Sequence, residues 1–236
     1  MLSYNELISL PIGNTPLLCY SGGRDSSFLL EQISKSLNHN DYSAITLSFS
    51  NNSFDLKRSE SLALISERPI HVVLERQRKD LVLFCRANRD LIQQFGSVIH
   101  KILVIAEGML FEYAANNNYS LITGHGPEAI FGGYRFNKYA LPATIEGAHQ
   151  ILLFDKYRLN LLSNWFGVEH HAPLMKSQAL GYMIKIRNEG ADGLPLEVLK
   201  PNIKRSFQVG CGLHGLISTL AKTRRQTRGD FINSLL

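Results

Sequence analysis

Two glycine-bearing segments carry the residue types needed for chemistry on an anion. The first is Ser21-Gly22-Gly23-Arg24-Asp25-Ser26-Ser27. Paired glycines let a backbone approach a ligand without interference from Cβ atoms. A helix beginning there turns its free amides, with the helix dipole behind them, toward a phosphate. Ser21, Ser26 and Ser27 add hydroxyl donors. Asp25 has the wrong charge for a phosphate unless a divalent cation lies between them, and Mg2+ is commonly held by one or two carboxylates together with phosphate oxygens. The segment lacks the Gly-Lys-Ser/Thr ending of a Walker A loop. The second segment, residues 123–134 (TGHGPEAIFGGY), places His125 between two glycines. An imidazole titrates near neutrality, which suits a general base.

Each segment needs an element to position it, and each follows a short apolar run, PLLCYS (16–21) and SLIT (120–123). SAITLSF (43–49) and HVVLE (71–75) are two further strand candidates. Helices are expected from Ser26 to about Leu37, over 54–67 with Asp55 as its N-cap, and from about Asp80 to Asn117 with a break at Gly96. Strands alternating with helices at this spacing predict an α/β fold with a parallel sheet. After about Phe136 the pattern turns mostly helical, which predicts a nucleotide-binding α/β core over residues 1–140 and a helical C-terminal portion over 141–236. Ligands of such sheets bind at the carboxyl ends of the strands, near a topological switch point.

Composition removes several classes. With 236 residues, 44% hydrophobic and 19% charged, the chain has the make-up of a folded domain, not of a disordered one. No apolar run approaches the ~18 residues of a membrane span. The first residues show no basic start and no apolar core, so no secretory signal is expected. Cys19, Cys85 and Cys211 form no CxxC pair, which argues against a disulfide framework, a zinc knuckle or a redox centre and for a reducing cytoplasm. The net charge of +5 is uneven: residues 200–236 carry seven Lys/Arg against Asp230 alone, and the remaining 199 residues carry about −1. This basic end reads as a solvated helix face, as a site for a polyanion, or as a docking surface for an acidic partner. His170 and His171 are adjacent, so their side chains diverge, and no matching ligand pattern accompanies them. Trp165 and Phe166 are expected in the core, and a lone Cys211 between glycines is weak evidence for a reactive thiol.

SGGRDSS (21–27) resembles the SGGxDS pyrophosphate loop of ATP pyrophosphatases that cleave ATP between its α and β phosphates. TGHGPEAIFGGY resembles the SGEGADELFGGY segment of asparagine synthetases, with Gly124, Gly126, Phe131, Gly132, Gly133 and Tyr134 matching without a gap. Residues 45–63 look like the family's second strand and following helix, beside which the adenine ring is expected. Residues 155–175 resemble the DRxSMAxGxExRxPFLD stretch through Glu169, Pro173 and Leu174. LPLEVLKPNIKRSF (194–207) resembles LPxxixxRxKxxF, which aligns Lys204 with the family's phosphate-directed lysine. The resemblance runs from about residue 16 to 212 and covers the synthetase domain alone; Leu2 stands where the family's glutaminase has its cysteine.

The resemblance implies a five-stranded parallel sheet with helices on both faces, of the adenine nucleotide alpha hydrolase type, with a helical C-terminal portion. It implies an AMP-forming amide ligase, related also to β-lactam synthetases. Such an enzyme adenylates a small-molecule or peptide carboxylate and passes the acyl group to ammonia or an amine. ATP and Mg2+ are its expected cofactors. Ser21, Gly22, Gly23, Ser26 and Ser27 would meet the pyrophosphate, Asp25 and Glu128 the Mg2+, and the backbone at Leu47 and Gly124 the adenosine. His125 stands where asparagine synthetases have Glu and β-lactam synthetases Tyr, so it is the candidate base for the amine, with Glu169 as the candidate to orient it; the other reading is a histidine that only binds substrate or fills space. Ala129 replaces an acidic residue of the family motif. These departures point away from plain asparagine synthesis and toward a specialised or natural-product pathway. Nitrogen would then come from free ammonia, an amine substrate or a separate glutaminase subunit, and a precursor-binding subunit is a further candidate partner. A membrane is not expected and nucleic acid is not the favoured partner. The competing readings are a tRNA-modifying ATP pyrophosphatase, supported by the basic end, and a non-catalytic nucleotide-binding subunit.

Overall fold

The computed structural model describes residues 14–34, 36–63, 71–126, 145–175 and 210–236. In chain order these are β1 (Thr15–Cys19), α1 (Arg24–Ser34), β2 (Ser43–Ser48), α2 (Phe54–Ala63), β3 (His71–Glu75), α3 (Arg78–Ala87), α4 (Arg89–Gln93), α5 (Val98–Asn116), β4 (Tyr119–Ile122), α6 (Ile145–Phe166), β5 (His170–His171), a 3-10 turn (Pro173–Met175), α7 (Leu213–Thr223) and α8 (Arg228–Leu235). The five strands form one parallel sheet in the order β3-β2-β1-β4-β5. The chain therefore runs outward through β1, β2 and β3, then crosses back to place β4 against the other side of β1. That reversal puts the topological switch between the ends of β1 and β4.

Strand alternation explains the two cores. Leu17, Ile45, Leu47 and Leu121 point to one face and pack with α3, α5 and the C-terminal helices. Leu18, Ala44 and Ile122 point to the other and pack with Leu29, Leu30 and Ile33 of α1. Helices thus cover both faces, as the sequence predicts, and buried parallel strands read as continuous apolar runs for this reason. Leu213, Ile217, Phe231 and Ile232 of α7 and α8 share the first core, so this helical end is packed on the sheet. The boundary near residue 140 lies outside the described residues.

Three elements differ from the sequence reading. Asp55 is in the first turn of α2, and the cap is Ser53, whose hydroxyl accepts from the Leu56 amide at 3.3 Å. The break at Gly96 exists, but the helical run is interrupted earlier as well, at Asn88. Its side-chain amide donates back to the Phe84 carbonyl at 3.1 Å while its oxygen accepts from the Trp165 indole at 2.9 Å, so it ends one helix and ties it to α6. Trp165 is thereby 43% exposed and makes a polar contact where a core position was expected. Among the described residues no helix is long and apolar enough to cross a membrane.

Candidate functional site

The first glycine segment forms the turn from β1 into α1. The Tyr20 amide donates to the Ile45 carbonyl at 2.8 Å, and the Thr46 hydroxyl donates to the Tyr20 carbonyl, so the chain leaves the sheet under control of β2. Gly22 follows at φ +66°, and a Cβ there would lie 2.7 Å from Arg58 Cγ and 2.9 Å from the Arg58 carbonyl carbon. Only glycine fits both the left-handed backbone and this close approach to α2. The loop is then laced by its own hydroxyls. Ser21 Oγ accepts from the Gly23 amide at 3.3 Å, Ser26 Oγ accepts from the Ser21 amide at 3.4 Å, and Ser26 Oγ donates to the Gly23 carbonyl at 3.1 Å. The Ser27 amide closes the first turn of α1 on the Gly23 carbonyl at 2.9 Å.

The second segment arrives at the same place. A Cβ on Gly124 would lie 3.3 Å from both Asp25 Cβ and the Ser26 amide nitrogen. The strand ends therefore bring Ser21, Gly22, Gly23, Asp25, Ser26, Ser27 and Gly124 together at the switch point. Leu47 lies two residues beyond the last β1–β2 pair, Cys19 with Ile45, where β1 has already turned away into its loop. At the end of β2 a cleft of about 370 Å³ opens between Phe49, Ser53 and Phe54 on one side and Gly212, Leu216 and Thr219 on the other. Pockets of this size accept small ligands. Glu128, Ala129, Lys204 and the FGGY half of the second segment lie outside the described residues.

His125 does not meet the carboxylate expected for it. Glu169 bonds to its own neighbour, His171 Nε2, at 3.0 Å, and is half exposed. The reason is strand alternation: Glu169 and His171 share one face of the β5 segment, whereas His170 points to the opposite face, toward Phe111 of α5 at 5.5 Å. The α5 face is where His125 sits, and its partner there is Glu107, with Nε2 3.1 Å from Oε1. Glu107 is in turn held by Arg158 of α6 through Nε to Oε2 at 2.6 Å and Nη2 to Oε1 at 3.0 Å. Arg158 Nη1 reaches Asp155 Oδ1 at 2.8 Å. Three of the four are buried, Glu107 at 3% exposed, Arg158 at 2% and Asp155 at 6%, while the His125 side chain is 23% exposed.

Electrostatics follow from this arrangement. Burial alone would push the Glu107 carboxyl up, but the Arg158 guanidinium and His125 overcome it and hold the carboxyl down at about 2. Burial would lower His125, yet its hydrogen bond to Glu107 and the charge of that carboxylate raise it above the ordinary imidazole value. With the Nε2–H committed to Glu107, Nδ1 keeps a lone pair, and that atom is buried without a partner among the described residues. This is how a catalytic imidazole is presented when a carboxylate fixes its tautomer. His170, pushed down to about 3 by burial and then by the charge of His125, is neutral and shares a hydrogen bond with Thr123 Oγ1 at 2.9 Å. Burial pushes the Cys211 thiol up to about 12, and it does the same to Cys19 and Cys85, which makes all three thiols unreactive.

Glu107 and Arg158 were missed from the sequence. A signal existed: Glu107 is the one charge in ILVIAEGMLF (102–111), and a charge within an apolar helix face needs an ionic partner. Asp25 is the carboxylate that would hold Mg2+. It stands at the start of α1 beside the glycine cradle, and a single carboxylate with neighbouring hydroxyls fits an ion shared with a phosphate. Among the described residues no group of three or more His, Cys, Asp or Glu gathers to hold a metal on its own.

No protein-family profile matches this chain, and no curated protein matches it. Solved structures similar to it include a predicted subunit of tRNA methyltransferase from Methanocaldococcus jannaschii, at 17% identity and a TM-score of 0.44, over 91% of this chain and 89% of that one. The NH3-dependent NAD synthetase from Campylobacter jejuni is similar at 14% identity and a TM-score of 0.41, over 95% of this chain and 83% of that one. The U34-tRNA thiolase NcsA from Methanococcus maripaludis is similar at 15% identity and a TM-score of 0.44, over 99% of this chain and 76% of that one. Likeness of this degree concerns the course of the backbone alone. The chain is an α/β protein whose parallel five-stranded sheet, covered by helices on both faces, brings its two glycine segments together at the switch point.

Proposed function

We propose that this protein is an ATP-dependent ligase that adenylates a carboxylate and transfers the acyl group to ammonia or an amine. The observation that supports the reading is the close approach of Gly124 to the serine-glycine loop at the switch point, with the neighbouring His125 held by Glu107. In the first half-reaction a carboxylate oxygen attacks the α-phosphorus of ATP and pyrophosphate leaves. The amides at the start of α1 and the hydroxyls of Ser21, Ser26 and Ser27 receive the pyrophosphate, as fixed donors aimed at departing charge do in other sites. When bound at Asp25, Mg2+ supplies further neutralisation of that charge. In the second half-reaction the amine attacks the acyl carbon, its proton passes to the His125 imidazole, and AMP leaves. Glu107 holds the imidazole and stabilises the imidazolium that forms, a role like that of a triad carboxylate. Glu128 and Lys204 complete the reading as the second Mg2+ ligand and a phosphate-directed cation.

A second reading, ATP-dependent modification of a nucleic-acid base, is favoured by the exposed cations between α7 and α8. One experiment separates the two. The protein is incubated with Mg-ATP, a pooled extract of small molecules and peptides, and hydroxylamine as a surrogate amine. AMP, pyrophosphate and a hydroxamate are expected, and the mass of the hydroxamate identifies the carboxylate. AMP without a hydroxamate would move the assignment to the nucleic-acid reading, and ADP as product would overturn both.

A further inference from the structure

The turn joining α7 to α8 exposes Lys222, Arg224, Arg225 and Arg228 within seven residues. Among the described residues none of these four cations is in an ion pair. Asp230, the one acid in residues 200–236, is committed to the start of α8, where its Oδ2 accepts from the Thr227 hydroxyl at 2.6 Å. Arg224 Cζ stands over the buried Phe231 ring, 5.4 Å from its centroid, and the side chain is exposed.

Arg225 is the stronger sign. It has φ +55° and occupies the left-handed position after the end of α7. The Gln226 amide reaches the Ala221 carbonyl at 2.9 Å and the Arg225 amide reaches the Lys222 carbonyl at 3.0 Å, the two bonds of a Schellman cap. That position is ordinarily glycine or asparagine, because a Cβ there costs roughly 1 kcal/mol. A cation is kept at a place where helix stability favours glycine.

The turn also stands on the working end of the sheet. His125, after the end of β4, touches Glu107 in the middle of α5, and Tyr113 stacks on Tyr119 at the start of β4. Helix α5 therefore runs antiparallel to β4, and its first turn rises about 13 Å beyond Glu107, past the strand ends. The N-terminus of α8 rests there: a Cβ on Gly229 would lie 3.1 Å from Val98 Cγ2, and Lys101 Nζ donates to Asn233 Oδ1 at 2.9 Å. Helix α7 is tied to the same end, since the Phe49 amide after β2 donates to the Cys211 carbonyl at 2.8 Å.

We propose that the α7–α8 turn, with Lys101 beside it, is a phosphodiester-binding surface that docks a nucleic-acid strand at the rim of the catalytic end of the sheet. An acidic protein is the other polyanion such a surface could meet, but protein docking draws its affinity from large apolar and aromatic anchors. Among the described residues the exposed large apolar side chains are Leu83, Ile99, Leu153, Tyr157 and Trp165; Ile99 alone is near Lys101, and none lies within residues 222–228. Phosphate contacts need only the cations. The proposal does not depend on whether the oxygen activated at the site belongs to a carboxylate or to a base.

The test is the anisotropy of a fluorescent single-stranded RNA of about 20 nucleotides, titrated with the full chain between 50 and 200 mM salt. With four cations engaged, log K falls against log salt with a slope of roughly −3. Arg225→Gly removes one charge while relieving the left-handed backbone, so its melting temperature should equal or exceed that of the parent. Its affinity should fall about fivefold at low salt and its slope flatten by about 0.7. Arg225→Lys should keep the slope. Equal binding of RNA by the Gly variant, loss of binding by both variants, or displacement of RNA by polyglutamate at the same charge concentration would each overturn the assignment. Formation of AMP by the parent protein is read separately, so failure here is distinct from failure of the ligase reading.

Discussion

The loop after β1 and the segment after β4 meet at one switch point, yet different forces hold them. The first is built from backbone and neutral hydroxyls: Ser21 and Ser26 satisfy one another and the Gly23 peptide, and glycine shape does the rest. The second depends on charges. His125 is placed by Glu107, Glu107 by Arg158, and Arg158 also by Asp155, the last three buried between α5 and α6. A neutral scaffold presents donors to an anion without bringing a charge that must itself be compensated. A charged scaffold sets the protonation of the group it carries, but it fails as a unit, because removing one member strands another in the interior.

The largest effect is expected at the loop after β1, from its one carboxylate, Asp25. Asp25→Asn should reduce AMP formation by on the order of 10²–10³-fold, the scale on which loss of an electrostatic stabiliser acts, with little change in melting temperature. Full AMP formation by this variant, measured by chromatography of the nucleotides, would remove Asp25 from metal binding. At the charged segment Glu107→Gln should be costly to the fold, by about 3–5 kcal/mol, since Arg158 keeps only Asp155. Its second signature is a pH shift. Glu107 raises His125, so an active base appears only as pH rises through that raised value. Without the carboxylate the acid limb of the transfer step should move to lower pH. The native carboxyl, held at about 2, contributes stability that is complete above its ordinary value near 4.5 and is lost as pH falls from there toward 2. The Gln variant should lack that acid-dependent loss. An unchanged acid limb in a folded Glu107→Gln protein would make the contrast between the two regions one of structure alone.

Legibility in the sequence follows the same division. The glycine-serine loop is local: strand end, glycines, serines and helix start all lie within residues 16–27, so their order in the chain is their arrangement in space. β3 is read to the residue at 71–75, because HVVLE is a short run of β-formers stopped by Arg76, Gln77 and Arg78. The charged quartet is not local. Glu107, His125 and Arg158 are joined only after α5 and α6 are laid against β4 and β5, and no spacing rule connects them. Glu169 was the natural candidate because it lies in a stretch resembling a known motif. A two-residue strand settles the matter by turning that side chain to the other face. Ser53 outcompeted Asp55 as a cap for a similar local reason: its hydroxyl also meets Ser48 Oγ at 2.7 Å, which anchors the cap to the end of β2.

The central claim is that one switch point houses two separable steps, activation by the loop and transfer by His125. His125→Ala tests it in a single preparation through substrate-dependent exchange of pyrophosphate into ATP and transfer to hydroxylamine. Exchange should stay within about twofold of the parent while transfer slows by on the order of 10²-fold, the scale of a lost general base. Loss of exchange together with transfer, or transfer at the parental rate, would contradict it.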